Sequence, residues 1–106
     1  MYDDVVMPGE LDSLVVAYCA DYTRRADVIS KKNAPYNVIM EYRYLNYRIM
    51  NAAVEIAGTR DAIYLIKDIG ENGGYAKSNL CAISEKMYKE RKRVLKIHIA
   101  KRLSLI

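Results

Sequence analysis

The sequence contains no tryptophan and no phenylalanine, and only two prolines, five glycines, two cysteines and one histidine in 106 residues. Each scarcity excludes something. With so few turn-forming residues and long stretches free of both Gly and Pro, the pattern argues against a turn-dense β fold and for helices. Cys19 and Cys81 lack CxxC spacing, so they suggest neither a disulfide framework nor a thiolate metal site; they read as free thiols in a reducing cytosol. The lone histidine, His98, has no cluster of Cys, His or carboxylate ligands near it in the sequence, as a metal site would need. No apolar run approaches the roughly 20 residues needed to span a bilayer. Met1-Tyr2-Asp3-Asp4 is acidic where a secretory signal would be basic. The expectation is a cytoplasmic protein with no membrane partner.

Basic residues are missing from one end and concentrated at the other. Residues 1–21 hold Asp3, Asp4, Glu10, Asp12 and Asp21 with no Lys or Arg. Residues 84–106 hold eight Lys/Arg against Glu85 and Glu90, a local charge of +6 in a chain whose total is +4, leaving −2 for residues 1–83. A basic end on a mildly acidic domain points to a localised site for an anionic partner.

What is present is 52% hydrophobic and 28% charged residues, the balance of a folded globule, and 106 residues suit one core rather than two. Ten tyrosines stand in for the other aromatics. A Tyr ring packs while its hydroxyl seeks a partner or water, so the expected core is thin, with Ile, Leu, Val and Met inside and Tyr around its margin.

Apolar spacing predicts one all-α domain over residues 1–106: an acidic segment 1–8 and a compact bundle of four main helices over about 9–32, 35–57, 60–69 and 84–104. In the first helix, Glu10 and Asp12 suit the initial turn, and Leu11, Leu14, Val15, Tyr18, Tyr22, Ala26 and Ile29 form one face. Arg25 falls within that face and is expected to snorkel or to pair with a carboxylate at the core edge. Asn33-Ala34-Pro35 is the break. In the second helix Val38, Tyr42, Leu45, Ile49, Ala52, Ala53 and Ile56 form the main stripe. Ile39, Met50 and Ala57 widen it, and Met40, Tyr47 and Val54 lie opposite. A helix apolar over most of its circumference is either central or covered by a second subunit, and a homodimer through residues 35–57 is one expectation. Asn46, inside the widened arc, is expected to hydrogen-bond in the interior and fix helix register.

Gly58 reads as a stop, Thr59 as an N-cap with Asp61 in the first turn, and Gly70 as the next stop. Glu71-Asn72-Gly73-Gly74 follows no strand and precedes no GK[ST], so it reads as a turn rather than a phosphate loop. Residues 75–83 have room for one short helix, capped by Ser78. The last helix has Ser84 as N-cap, Glu85 at its positive end and Lys101 and Arg102 near the other. Tyr88, Leu95, Ile99, Leu103 and Ile106 line its apolar face, flanked by Met87 and Val94.

No constellation suggests catalysis. His98 reads as a boundary residue; Asp61 and Asp68 share a helix face, as surface acids often do. An enzyme is not expected, nor a cofactor or metal. The informative feature is Lys86, Lys89, Arg93 and Lys96 at 3-4-3 spacing, a basic stripe with no acid on its own face. In helix-turn-helix proteins the second helix enters the major groove, its first residues near base edges and flanking cations on phosphates. Glu85, Lys86 and Lys89 would then face bases, and Arg93 and Lys96 the backbone, with Ser84 and Lys92 as additional contacts.

Ile83-Ser84-Glu85-x-x-Tyr88-x-x-Arg91-Lys92-Arg93, closing with Ile99-Ala100-Lys101-x-Leu103-x-Leu105, resembles the end of phage late-gene transcription activators of the RinA and ArpU type. Glu41-Tyr42-Arg43-Tyr44-Leu45 loosely resembles the aromatic-rich helix before that motif. The resemblance covers about a quarter of the chain. It implies a helix-turn-helix like that of sigma-factor region 4, with a Ser-capped recognition helix, a Lys/Arg run on double-stranded DNA, and RNA polymerase as a partner. A compact motif has a turn of about 3–4 residues, whereas residues 70–83 separate the last two helices here, so a short helix at Ser78–Ala82 would have to serve as its first helix. Two other readings stand beside DNA-binding transcription regulation. One is a helical interaction or assembly module whose second helix is completed by a partner. The other is RNA binding by Tyr stacking, for which Tyr75 and Tyr88 are the candidates near the basic helix.

Overall fold

In the computed structural model, which describes residues 6–71, 74–75 and 83–106, four helical segments run in the order α1 (Gly9–Ala20), α2 (Tyr22–Lys31), α3 (Tyr36–Gly70) and α4 (Glu85–Arg102). The protein is all-α, and no strand occurs among the described residues. The central element is α3, which packs against each of the other three. The short helix expected within 75–83, its Ser78 cap and Cys81 lie outside the described residues.

The first expected helix bends once. Its ladder passes through Asp21, whose N–H donates to the Ala17 carbonyl at 3.1 Å and whose carbonyl accepts from Arg25 N–H at 3.0 Å. The bend has identifiable causes. The Arg25 guanidinium donates to the Tyr18 carbonyl and the Asn46 side-chain amide donates to the Tyr22 carbonyl at 3.1 Å, one on each side of Asp21. Donors inserted into a ladder bend helices. Lys32, in the left-handed region at φ 52°, ends α2.

The two helices expected on either side of Gly58 (φ 83°, ψ 164°) follow one another directly as the halves of α3, and this non-helical residue stops the first of them as expected. That conformation belongs almost entirely to glycine. Gly70, at the far end, has a different task. A Cβ there would lie 2.6 Å from the Ala20 backbone nitrogen, so the ends of α1 and α3 cross in near backbone contact.

Ser84 caps α4 as expected, its Oγ accepting the Met87 N–H at 3.1 Å. At the other end Leu105 N–H reaches the Ala100 carbonyl at 2.7 Å and Ser104 N–H the Lys101 carbonyl at 3.1 Å, with Ser104 at φ 58°. This is a Schellman closure built on serine rather than glycine.

The core is Val15, Cys19, Ile49, Ala52, Ala53, Ala62, Leu65, Ile66, Ile69, Tyr88, Leu95, Ile99 and Ala100. It departs from expectation in three ways. None of Met7, Met40, Met50 and Met87 is buried; alanines take the inner places on α3, where helices approach most closely. Tyr88 is wholly inside, because its hydroxyl donates to Asp68 Oδ2 at 3.1 Å; Asp68 is thus a buried acceptor and not a surface acid. Leu14, Ala26, Met87 and Ile106 are exposed, while Cys19 and Ile97, outside the expected faces, are buried.

Arg25 is 3% exposed and touches no carboxylate in its hydrogen bonds, which corrects the expectation of an ion pair or a snorkelling side chain. Its Nε donates to Asn46 Oδ1 at 2.7 Å, and Asn46 in turn reaches the Tyr22 carbonyl. The buried Asn46 thus ties α2 to α3, the register role expected of it. Burial works against the Arg25 charge, partly offset by Asp21.

Candidate functional site

The basic residues of α4 fall on a helix whose other faces are already committed. Tyr88, Leu95, Ile97, Ile99 and Ala100 are buried, leaving Lys86 and Lys89 exposed on the first two turns and Lys92, Arg93 and Lys96 half-buried. Lys89, Lys92, Arg93 and Lys96 meet at one groove of about 410 Å³, lined also by Ile97 of the same helix and by Val6, Met7 and Asp12 from the start of the chain. Lys86 stands outside the groove.

Carboxylates answer most of this charge. Lys89 Nζ lies 3.3 Å from Glu85 Oε1, Arg93 holds Glu90 at 2.7 Å, and Lys96 Nζ lies 3.1 Å from Asp12 Oδ1 on α1. The sequence reading of a stripe free of acids is therefore corrected: Glu85 and Glu90 reach it from flanking positions at i−4 and i−3, and Asp12 reaches it from another helix. The Arg93 hydrogen bond holds the Glu90 carboxyl below its usual range. Lys92 folds over the Tyr88 ring, 5.3 Å from its centroid, and burial lowers its pKa. Ser84 Oγ and Glu85 are likewise engaged, one in the cap and the other with Lys89.

The carboxy-terminal half of α4 is fastened to α3. Arg102 pairs with Glu55, His98 Nδ1 lies 3.8 Å from Glu55 Oε2, and Arg48 Nη1 donates to the Arg102 carbonyl at 3.4 Å. His98 is half-buried, a boundary residue as expected, and burial lowers its pKa against the pull of Glu55. Cys19 is a free buried thiol whose pKa burial pushes up to about 12. Among the described residues no three His, Cys, Asp or Glu side chains gather as a metal-sized group, and no helix is long and apolar enough to cross a membrane.

The tyrosines considered for base stacking are not available for it. Tyr88 is 1% exposed, and half-buried Tyr75 packs against it at 5.5 Å while donating to the Ile83 carbonyl at 2.6 Å. The exposed tyrosines lie on α3 instead. Tyr36 (77%), Met40 (42%), Tyr44 (48%) and Tyr47 (69%) stand open to solvent, with Arg48 stacked over Tyr44 at 4.6 Å. Of these, Met40 and Tyr47 are expected from the sequence to lie opposite the main stripe, whereas Tyr36 and Tyr44 are not picked out for that side. The 4-4-3 spacing of the four residues was the available signal.

Compared with protein-family models, with curated proteins and with solved structures, the chain matches none.

Proposed function

We propose that this chain is a DNA-binding transcriptional regulator, of phage origin, that sets the first turns of α4 against duplex DNA. The observation carrying this reading is the convergence of Lys89, Lys92, Arg93 and Lys96 on one groove whose only acidic wall residue among the described residues is Asp12, with Lys86 exposed on the preceding turn. Phosphates can replace exposed carboxylate partners at little cost, because such surface pairs are individually weak. The Ser84 cap supports the same reading by fixing where α4 begins, and the resemblance of residues 83–105 to RinA- and ArpU-type activators supplies the class. In that reading Lys86, Lys89, Arg93 and Lys96 are the principal contacts, Ser84, Glu85 and Lys92 the additional ones, and RNA polymerase the protein partner. The protein acts by binding rather than by catalysis.

The test is duplex affinity measured against salt, beside a variant with Lys86, Lys89, Arg93 and Lys96 all changed to Gln. The two backbone contacts, Arg93 and Lys96, give a log–log slope of about −1.8, which the variant should largely lose. No duplex binding at low salt, or binding indifferent to the four substitutions, would end the reading. The exposed α3 face favours a second reading, a helical interaction or assembly module that needs no nucleic acid.

A further inference from the structure

We propose that two copies of this chain pair through the amino-terminal half of α3, antiparallel about a two-fold axis beside Tyr44. The inference rests on the second reading above, that the α3 face is an interaction surface, and is independent of whether α4 binds a duplex.

Four of the nine exposed large apolar side chains lie on this one stripe: Tyr36, Met40, Tyr44 and Tyr47. At 100° per residue they fall within an arc of about 80°, over a length of about 17 Å. Exposed apolar residues scattered singly need no explanation, whereas a continuous row marks an interface. Tyr and Met are also residues that interfaces favour, large in contact area and low in ordering cost.

The charges beside the row identify the occupant. Glu41 and Arg48 are seven residues apart and share one flank of the row. Glu41 is exposed and belongs to no ion pair among the described residues, and half-buried Arg48, stacked over Tyr44 and donating to the Arg102 carbonyl, meets no carboxylate among them. Relative to Tyr44, Met40 and Glu41 stand four and three residues before it; Tyr47 and Arg48 stand three and four residues after. An antiparallel two-fold between Tyr44 and Leu45 sets Glu41 against the partner's Arg48, twice, and brings Met40 within one turn of the partner's Tyr47. Matching flanks face each other in antiparallel helix pairs, so the charge pattern complements itself. In a parallel pairing the same flank of each helix lies on opposite sides of the seam, so Glu41 and Arg48 would not meet.

Sedimentation equilibrium of the full chain without DNA tests the proposal. The expected result is a monomer–dimer equilibrium. Glu41→Lys and Arg48→Glu should each weaken the dimer about tenfold, since each turns two attractions into two repulsions, and the two together should restore it to within about twofold. In a Cys81→Ser background, Tyr44→Cys should form an intermolecular disulfide on mild oxidation, while Lys67→Cys, on the far half of α3, should not. Far-UV circular dichroism checks that every variant is folded. A strict monomer at several hundred micromolar, or a double charge reversal no tighter than the weaker single, overturns the proposal. The first of these leaves the face to a different protein and the second reading intact. A dimer unaffected by Tyr44→Glu and Tyr47→Glu would overturn both.

Discussion

Arginine and lysine occur in two opposite settings in this molecule. Between α2 and α3, Arg25 is buried with only neutral partners, the Asn46 amide and the Tyr18 carbonyl. On α4, Lys89 and Arg93 reach carboxylates four and three residues away in full or partial contact with water. The buried site has no directly paired carboxylate among the described residues, only the more distant pull of Asp21 and the Tyr18 ring, and so depends on each hydrogen bond. The exposed stripe is rich in ion pairs, yet each pair contributes little, and its partners can be exchanged. The number of ion pairs is thus a poor guide to what holds this fold together and a better guide to where an anion can bind.

The largest effect expected from breaking this contrast is at Asn46. Asn46→Leu leaves the Arg25 Nε without its acceptor and should lower unfolding free energy by about 3 kcal/mol or more in urea titrations. Adding Arg25→Met to that variant should recover part of the loss, since the unpaired charge goes with it; a further loss would contradict the picture of Arg25 as a desolvated cation. Gly70→Ala, which forces a Cβ toward the Ala20 backbone, should cost about 1–3 kcal/mol by thermal or urea unfolding. Lys96→Gln, at a half-buried pair across α1 and α4, should cost about 1 kcal/mol at most. Glu90→Gln should leave the unfolding midpoint essentially unchanged and, by releasing Arg93, tighten duplex binding; unchanged or weaker binding would argue that Arg93 is not a phosphate contact.

A smaller test uses pH. Burial holds the His98 pKa below its ordinary 6.5, so the unfolded chain takes up that proton first. The contribution is fully present above pH 6.5 and is lost as pH falls through the interval between the two values. Unfolding midpoints measured from pH 7.5 to 5 should decline on acidification, and His98→Gln should flatten the decline.

Helix content, the stop at Gly58, the Ser84 cap and the interior role of Asn46 were all legible in the sequence, because each is written within a few neighbouring residues. What was not legible depends on residues far apart in the chain. Asp12 reaching Lys96, Asp68 accepting from Tyr88 and Gly70 meeting Ala20 leave no local signature, since helix crossing decides them. For the same reason the Arg25 partner was misjudged: a carboxylate is the usual choice, and only the packing of α2 on α3 brings Asn46 there. The basic stripe was seen, but helical spacing alone understated how readily acids at flanking positions, three and four residues away, bend onto it.

The single non-helical residue inside α3 has a mechanical consequence. Gly58 divides α3 into two arms that both enter the core, Ile49, Ala52 and Ala53 before it and Ala62, Leu65, Ile66 and Ile69 after it. The first arm carries the ties to α2 and to the end of α4, and the second accepts the Tyr88 hydroxyl of the same helix α4. The angle at one glycine therefore decides whether α4 can close on both arms at once. Gly58→Ala would strain that joint, whose backbone conformation other residues rarely adopt, and its effect would reach every helix of the bundle.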